Sequence, residues 1–549
     1  MIERKDMQGR NFADKFIRNI RKYTLGQKLR MFGSIWIYIA LFVLLTVYPL
    51  YVGKENDGMA TGKFLFLLGA VKYLGLGVLA YLVIRMFVWG FNREEIAYAK
   101  PLHTLDICML VYTASAVISY AISPYKQIDL PAKYKFYQGA KWGTSGWFLG
   151  LYTLLICVSL YFVVSRMLVY CKYVWIFVLT GAVIVMIWGI LNRYGIYPKI
   201  NGISDETHIA TIGNINWFCG YVSVFAPMMI GLYWGQNKAR ARLYLLPLAV
   251  LSFFTIFVNG SDSGVFALIV VMLVLFAISC SDAGRLMNFF SLCTALAAVL
   301  VVIAVIDRIW PGLRNYEGQL SEILIGIPIP LAAMVVCLVL TGYFRLISMK
   351  MITSPAKLLP ILRQIAVWVP VTAALTVVIL IVANTLSQGR VPIIGDNALF
   401  IFNDSFASNR GVTWTVGVKC FESVPVTNKI FGIGPDCMCH RIAELDDVHK
   451  MVTTTFGKYS RLTNAHNELL TLLVNQGIVG MLAFAASMAS AYAILRKRIA
   501  KSPELLVYLL MIVSYIANNM FSFQQITSTP LLYIMLGVMG ANVLAVDKQ

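Results

Sequence analysis

A short polar segment near the end of the 549-residue chain carries the side chains best suited to chemistry. It leads into an apolar stretch and reads Thr463-Asn464-Ala465-His466-Asn467-Glu468. A histidine can serve as base, acid or hydrogen-bond donor near neutral pH. Thr463 or Asn464 can cap a helix here, which would place His466 in its first turn, where the helix dipole favours an anion. The segment therefore predicts a reactive site, and an ordinary capping cluster with a surface histidine is the alternative.

The composition of the whole chain excludes a soluble protein. Hydrophobic residues make up 59% of the chain and charged residues only 13%, and the mean hydropathy is +0.73. A soluble core cannot hide so much apolar surface, so we expect an all-α polytopic membrane protein. The chain has no Walker phosphate loop, which argues against ATP-driven transport by this chain alone.

Apolar runs long enough to span a bilayer recur along the chain, and we predict about fourteen transmembrane helices. About eleven fall in residues 31–384 and about three in residues 466–549, after a basic interfacial segment at residues 1–30. Most Lys and Arg collect in alternate loops, which predicts that both termini are cytoplasmic. The net charge of +20 then reflects membrane orientation and contact with lipids, and no nucleic-acid partner is expected. The polar break Asn259–Gly264 can line a cavity.

Residues 385–465 form the one soluble-sized piece, and we predict a folded extracytoplasmic loop domain there. It holds Cys420, Cys437 and Cys439. A disulfide from Cys420 to one of the other two is an open alternative, since spacing alone cannot show that their Cα atoms lie within reach. No metal-ligand spacing of Cys and His occurs, so neither a metal nor a cofactor is expected. Residues 125–147 are basic and aromatic; they are either a path for sugar or phosphate or a loop against lipid headgroups. Trp147 by itself is interpreted as part of an interfacial belt.

Four motifs in order resemble the O-antigen ligase and polymerase superfamily over roughly residues 200–540. Ala465-His466-Asn467-Glu468-Leu469-Leu470, with Gly477 and Gly480, is similar to its signature. Arg410 to Trp414, followed by Phe431-Gly432-Ile433-Gly434-Pro435, resembles its Arg-x-x-x-Trp helix and Phe-Gly-x-Gly turn. Asn214-Ile215-Asn216 resembles its Gly-Asn-Pro-Asn element, with Ile215 in place of Pro, and the long external loop precedes the histidine motif. One departure is Asp262-Ser263-Gly264, where the family often has Ser-Arg-Gly, so a basic residue expected near the phosphates is missing.

The resemblance implies a metal-independent glycosyltransferase on the outer face of the bacterial cytoplasmic (inner) membrane, similar to GT-C-type enzymes. The donor would be a glycan on undecaprenyl diphosphate, and the acceptor a growing polysaccharide, a lipid A core, another lipid or a protein hydroxyl. His466 would activate the acceptor. Arg410 would hold the leaving diphosphate, with Arg441 and Arg461 as further ligands. Asn467 and Glu468 would have supporting roles and would either orient His466 or cap the helix. Asn214 and Asn216 would either satisfy backbone groups at a helix entry or contact the donor.

The main alternative is a flippase that moves lipid-linked oligosaccharide across the membrane. A flippase should bury a cationic pathway across the bilayer midplane. This chain has few charges within its spans and concentrates its polar residues outside, which disfavours the alternative. A non-catalytic scaffold is a third class. The sequence leaves open the sugar, the acceptor, polymerase against ligase, the linkage stereochemistry and the oligomeric state.

Overall fold

The computed structural model describes residues 23–53, 58–92, 102–126, 139–197, 208–236, 238–314, 318–353, 355, 357–392, 394–395 and 400–547. Within these ranges the chain is helical and contains no strand, only one isolated bridge between Ile209 and Gly213. The predicted all-α class is therefore confirmed for the described part. Residues 1–22 of the basic interfacial segment predicted at residues 1–30 lie outside the described residues.

Twelve helices precede the polar segment at 385–465. Their bounds are α1 Leu25–Leu50, α2 Met59–Asn92, α3 Thr104–Ile122, α4 Leu151–Met167, α5 Val174–Arg193, α6 Ile215–Trp234, α7 Ala239–Asn259, α8 Asp262–Ser279, α9 Ala283–Ile309, α10 Gln319–Ile325, α11 Pro328–Ser348 and α12 Leu358–Leu386. Among the described residues, four helices lie within that segment, and these are α13 Phe406–Glu422, α14 Val426–Phe431, α15 Met438–Glu444 and α16 Asp446–Phe456. Three α-helices follow it, and these are α17 Glu468–Arg498, α18 Leu506–Asn519 and α19 Thr529–Val546.

Among the described residues, twelve helices are long and apolar enough to cross a membrane. Two shorter apolar helices, Leu151–Met167 and Pro503–Asn519, lie at two further positions where the sequence predicts spans. The protein is thus a multi-pass membrane protein. Three points stay predictions. They are the count of about fourteen spans, the resemblance to GT-C-type enzymes, and the division of the chain into residues 1–30, 31–384, 385–465 and 466–549.

The bundle is organised around helices that are buried on all sides. In α6 and α19, 78% of the residues in the most apolar 18-residue stretch of the helix are buried. The corresponding share in α2, α11 and α12 is 6%. Helix α6 packs against α7 and α18, α19 packs against α4, and α17 packs against α3. A helix that is apolar all round belongs either in a core or in lipid, and the outer helices expose apolar faces suited to a bilayer.

The segment between α12 and α17 folds over one end of the bundle as a cap of four helices, α13 to α16. The cap has its own apolar core, which includes Val412, Val416, Met438 and Val448. It is joined to α17 where two glycines allow close backbone contact. A Cβ on Gly432 would lie 2.3 Å from the Asn475 carbonyl oxygen, and one on Gly477 would lie 2.3 Å from that of Ile430. Both glycines have positive φ, 83° and 69°, so the Phe-Gly-x-Gly turn docks on a kink in α17 that other residues would obstruct.

Candidate active-site cleft

An open cleft of about 660 Å³ lies where the cap meets the bundle. It brings together three of the residues singled out from the sequence, Arg410, His466 and Asn216. The remaining walls come from both sides of the cleft and consist of Ile215, Ser261, Asp262, Ser408, Asn409, Thr413 and Phe456. Five separate parts of the chain therefore meet at this cleft.

Arg410 begins the regular part of α13. The three residues that precede it, Ala407, Ser408 and Asn409, have φ angles of 48°, 59° and 66°. The chain therefore turns sharply as it enters the regular helix. The Arg410 guanidinium donates from Nη1 to the Ala407 carbonyl oxygen at 2.7 Å and from Nε to that of Phe521 at 2.9 Å. It also lies over the Phe521 ring, 5.9 Å from the centroid. These contacts hold the guanidinium at the cleft wall, and a guanidinium is a group that can bind a phosphate oxygen through two hydrogen bonds.

His466 lies immediately before α17, in a backbone conformation that is uncommon for residues with a side chain. Its φ is 49°, and its amide donates to Asn464 Oδ1 at 3.0 Å. The imidazole meets the Phe523 ring edge to face, with centroids 5.0 Å apart. Burial, and to a smaller extent the charge of the Arg410 guanidinium, together lower the pKa of His466 to about 4. The ring is therefore neutral at pH 7 and can accept a hydrogen bond.

The prediction that Thr463 or Asn464 caps this helix is wrong, and the alternative that Asn467 caps it is confirmed. Asn467, not Thr463 or Asn464, is the N-cap of α17, because its Oδ1 accepts from the Leu470 amide at 3.0 Å. Consequently His466 precedes the helix instead of lying in its first turn. Asn467 also donates from Nδ2 to the Met520 carbonyl oxygen at 3.1 Å, which ties the histidine segment to the connection between α18 and α19.

Glu468 faces the same connection and does not line the cleft. Its side chain is buried, and its carboxylate accepts from Tyr515 at 3.2 Å, from Gln524 at 2.8 Å and from Asn519. Buried carboxylates persist when they are hydrogen-bonded in this way. Glu468 thus holds the connection that carries Phe521 and Phe523, whose rings contact Arg410 and His466 respectively.

The two asparagines of the second motif have different environments. Asn214 is exposed and caps α6, with Oδ1 accepting from the Trp217 amide at 3.1 Å. Asn216 lines the cleft, and its carbonyl oxygen accepts from Gln525 at 3.2 Å. Asn216 therefore lies in the cleft, whereas Asn214 does not line it.

Arg441 and Arg461, which the resemblance suggests as diphosphate ligands, do not line the cleft. Arg441 is held inside the cap by Ser423 and by Glu444, whose carboxylate lies 2.9 Å from Nη1. Arg461 donates to Cys439 Sγ at 3.4 Å. All ten cysteines are free thiols, so the optional disulfide from Cys420 does not form in this structure.

Two cleft residues, Ser261 and Asp262, have no predicted site role from the sequence. Both belong to the polar break between α7 and α8, and Asp262 Oδ1 accepts from the Leu320 amide at 3.0 Å. The pattern did predict that Asn259–Gly264 lines a cavity, and the structure confirms this. What the pattern could not indicate is that the carboxylate of Asp262, next to the position where the family motif has Arg, lines the same cleft as Arg410 and His466. Among the described residues, no group of three His, Cys, Asp or Glu side chains could hold a metal ion.

A row of aromatic rings extends from His466 through Phe523 and Trp147 to Trp217. Phe523 contacts His466 and Trp147, and Trp147 contacts Trp217, with centroids 5.0, 5.1 and 5.3 Å apart. The rings come from three separate segments, and edge-to-face packing stabilises such rows. Trp147 therefore lies close to the cleft, next to the ring that contacts His466, and its place in an interfacial belt stays a prediction.

An apolar groove of about 910 Å³ lies between α17 and α18. Its walls include Phe484, Ala489 and Ile512, and one end is formed by Glu468, Asn519 and Met520. Met520 precedes Phe521, whose carbonyl oxygen accepts from Arg410. The groove therefore ends beside the polar cleft, as a site for an amphipathic substrate requires.

These features define a class of protein, a polytopic membrane protein with a polar cleft under a helical cap and an apolar groove leading to it. A family model described as O-antigen ligase matches residues 323–485, a range that contains both Arg410 and His466. The match confirms the predicted resemblance to the O-antigen ligase and polymerase superfamily. It indicates an enzyme of the ligase or polymerase type in polysaccharide synthesis, with lipid-linked glycans as substrates. No curated protein matches the chain.

Proposed function

We propose that the protein is a glycosyltransferase that moves a glycan from an undecaprenyl-diphosphate donor to an acceptor hydroxyl, as a polysaccharide polymerase or ligase. The observation that carries this proposal is that one cleft holds both Arg410 and His466. A cation for a leaving diphosphate and a group to align a hydroxyl are the two requirements of the reaction. The adjacent apolar groove supports a donor with a long hydrocarbon tail.

In the proposed step, the acceptor oxygen attacks the anomeric carbon of the donor sugar. The bond from that carbon to the diphosphate oxygen breaks, and the released charge stays beside Arg410. His466 first accepts a hydrogen bond from the acceptor hydroxyl and then takes its proton as the new bond forms. A bound diphosphate would raise the pKa of His466 above its value of about 4 in the free protein, because a nearby anion favours the imidazolium form.

The aromatic row supports an acceptor that is itself a glycan. Trp147 and Trp217 offer aromatic faces on the far side of Phe523 from His466. The weakly polar faces of sugar rings pack against such surfaces. On this proposal the donor approaches from the Arg410 side and the acceptor from the Trp147 side, with His466 between them.

We further propose the orientation that the basic loops predict. Both termini and residues 1–30 lie in the cytoplasm, helices within 31–384 and 466–549 span the bacterial inner membrane, and the cap at 385–465 faces outward. Reporter fusions after residues 240 and 430 would test this, since only the second should report an extracytoplasmic position. We also propose that the reaction needs no metal, so that activity should persist in excess EDTA.

The decisive experiment incubates purified protein with a lipid-linked glycan and separates the products by size. A ladder of longer glycans would indicate a polymerase, and a single capped acceptor a ligase. Unchanged glycan that has crossed the bilayer of a proteoliposome would contradict the proposal and favour a flippase.

A further inference from the structure

A second polar pocket lies at the end of the bundle opposite the cleft. It has a volume of about 1,120 Å³ and is formed by the ends of several helices. Asn216, near the start of α6, lines the cleft, whereas Trp234, its last residue, lines this pocket. With a rise of about 1.5 Å per residue, the two sites are roughly 27 Å apart, which is close to the hydrocarbon thickness of a bilayer.

Two cations face this pocket. Arg285 lies in the first turn of α9, donates to Ser281 Oγ at 3.1 Å and stacks over the Trp234 ring at 5.7 Å. Arg242, from α7, also lines the pocket, and no hydrogen bond or ion pair of its side chain occurs with the described residues. The single carboxylate in the lining, Asp282, accepts from the Gly284 and Arg285 amides and so caps α9. The lining residues thus carry a net charge of +1, which suits a monoanion.

One buried polar group provides an independent indication of a ligand. Asn288 is only 5% exposed and lines the pocket. Its Nδ2 donates to the Trp234 carbonyl oxygen at 2.9 Å, but its Oδ1 has no hydrogen-bond partner. A buried acceptor without a partner is costly. A ligand that presents a hydroxyl to this oxygen would therefore be favoured over a bare anion.

We propose that this pocket binds the headgroup of an anionic phospholipid of the phosphatidylglycerol type. The phosphodiester lies between Arg242 and Arg285, and a headgroup hydroxyl donates to Asn288 Oδ1. The position at a bundle end, with Trp234 in the wall, places the pocket at the depth of lipid headgroups. The proposal does not depend on the transfer reaction. On the predicted orientation the lipid would come from the cytoplasmic leaflet, where a negative surface potential is usual.

Native mass spectrometry of the full-length protein in detergent tests the proposal. Phosphatidylglycerol should remain bound to the wild-type protein, and an equal amount of phosphatidylethanolamine should bind more weakly. The R242A/R285A double variant should lose this preference, with an apparent affinity lower by about tenfold or more, as expected for the loss of charge-assisted contacts. R242E is a second variant that leaves the stacked Arg285 in place, and it should weaken binding in the same direction.

The matched control is R240A, since Arg240 lies one turn or less away on α7 but does not line the pocket. Unchanged phosphatidylglycerol binding in R242E and in a folded double variant, or equal loss in R240A, would overturn the site. Equal retention of phosphatidylethanolamine by the wild type would overturn the anionic headgroup. Displacement of the lipid by millimolar inorganic phosphate would show a soluble phosphate ligand and would overturn the lipid assignment.

Discussion

The Thr413 hydroxyl lies 3.0 Å from the carbonyl oxygen of Ala465, although the two residues are 52 positions apart in sequence. The same hydroxyl lies 3.1 Å from the Arg410 carbonyl oxygen, to which it can alternatively donate. Thr413 is buried in α13, and Ala465 precedes His466. One side chain thus connects the helix that carries the candidate diphosphate ligand to the segment that carries the candidate acceptor-activating residue.

Replacement of Thr413 by Val should loosen this connection without changing the volume of the side chain. We expect a stability loss of about 1 kcal/mol for the missing hydrogen bond and a larger fractional loss of kcat, because the two reacting groups would be less well aligned. Thr455→Val is the matched control, since that hydroxyl donates within its own cap helix to the Met451 carbonyl oxygen. Equal activity of the two variants would contradict a positioning role for Thr413.

Arg410→Ala should lower kcat by roughly 10²- to 10³-fold, as the removal of a charge-stabilising donor does in other enzymes. Arg410→Lys should recover only part of the loss, because lysine cannot reach the Phe521 carbonyl oxygen and the diphosphate with one planar group. Turnover of the purified variants with a lipid-linked glycan measures both effects. Arg390→Ala, an exposed arginine before the cap helices, serves as the control. Wild-type turnover by Arg410→Ala would remove Arg410 from the mechanism.

The pH dependence of turnover should report His466. Its pKa is about 4 in the free protein, so kcat/KM should fall only in strongly acidic buffer, as the ring becomes protonated. With a diphosphate bound the pKa should be higher, so the acidic limb of kcat should lie at a higher pH than that of kcat/KM. His466→Ala should abolish both limbs along with most of the activity. Coincident limbs would indicate that no anion binds near the imidazole.

The apolar groove predicts that turnover depends on the length of the donor's tail. Ala489→Phe places a ring in the groove and should raise KM for an undecaprenyl donor by about tenfold, since a few methylene groups lose burial at about 0.8 kcal/mol each. A farnesyl donor, which is too short to fill the groove, should be little affected. Ala486→Phe, an exposed position on the same helix outside the groove, is the control. The same KM change with both donors would argue against a tail site.

Attachment of the cap to residues 139–150 should depend on pH through Asp436. Its buried carboxylate accepts from the amides of Thr144 at 2.7 Å and Leu149 at 3.2 Å. Burial nevertheless raises the pKa of Asp436 to about 7, against these amides and Arg461, which favour the ionised form.

A detached Asp436 would have a pKa near 4, so the attached state binds the extra proton between about pH 4 and 7. Attachment should therefore be strongest below about pH 4 and weaken as pH rises towards 7. The strength of this attachment can be measured as the rate of hydrogen–deuterium exchange of residues 139–150, compared between the wild type and Asp436→Asn at each pH. The amide of Asn keeps an acceptor without titrating, so a constant wild-type to variant ratio from pH 5 to 8 would contradict the prediction.

The sequence was informative where a property is local. The length of each apolar run is sufficient to predict a spanning helix, because hydrophobic burial in lipid depends on the residues of that run alone. The motif around His466 was likewise recognisable, since its residues are consecutive. The sequence could not single out the residue that caps α17, because Thr463, Asn464 and Asn467 are all good N-cap residues. Only the geometry of the turn selected Asn467.

Which arginines meet the histidine was decided by the tertiary structure. Arg410, Arg441 and Arg461 are equivalent by residue type, yet the Thr413–Ala465 contact and the docking of Gly432 on the α17 kink bring only Arg410 into the cleft. Asp262 enters the same cleft from a different pair of helices. Such convergence depends on packing between residues far apart in the chain, which composition and spacing do not encode locally. The sequence by itself thus determined the membrane class and the histidine motif, and the fold determined its partners.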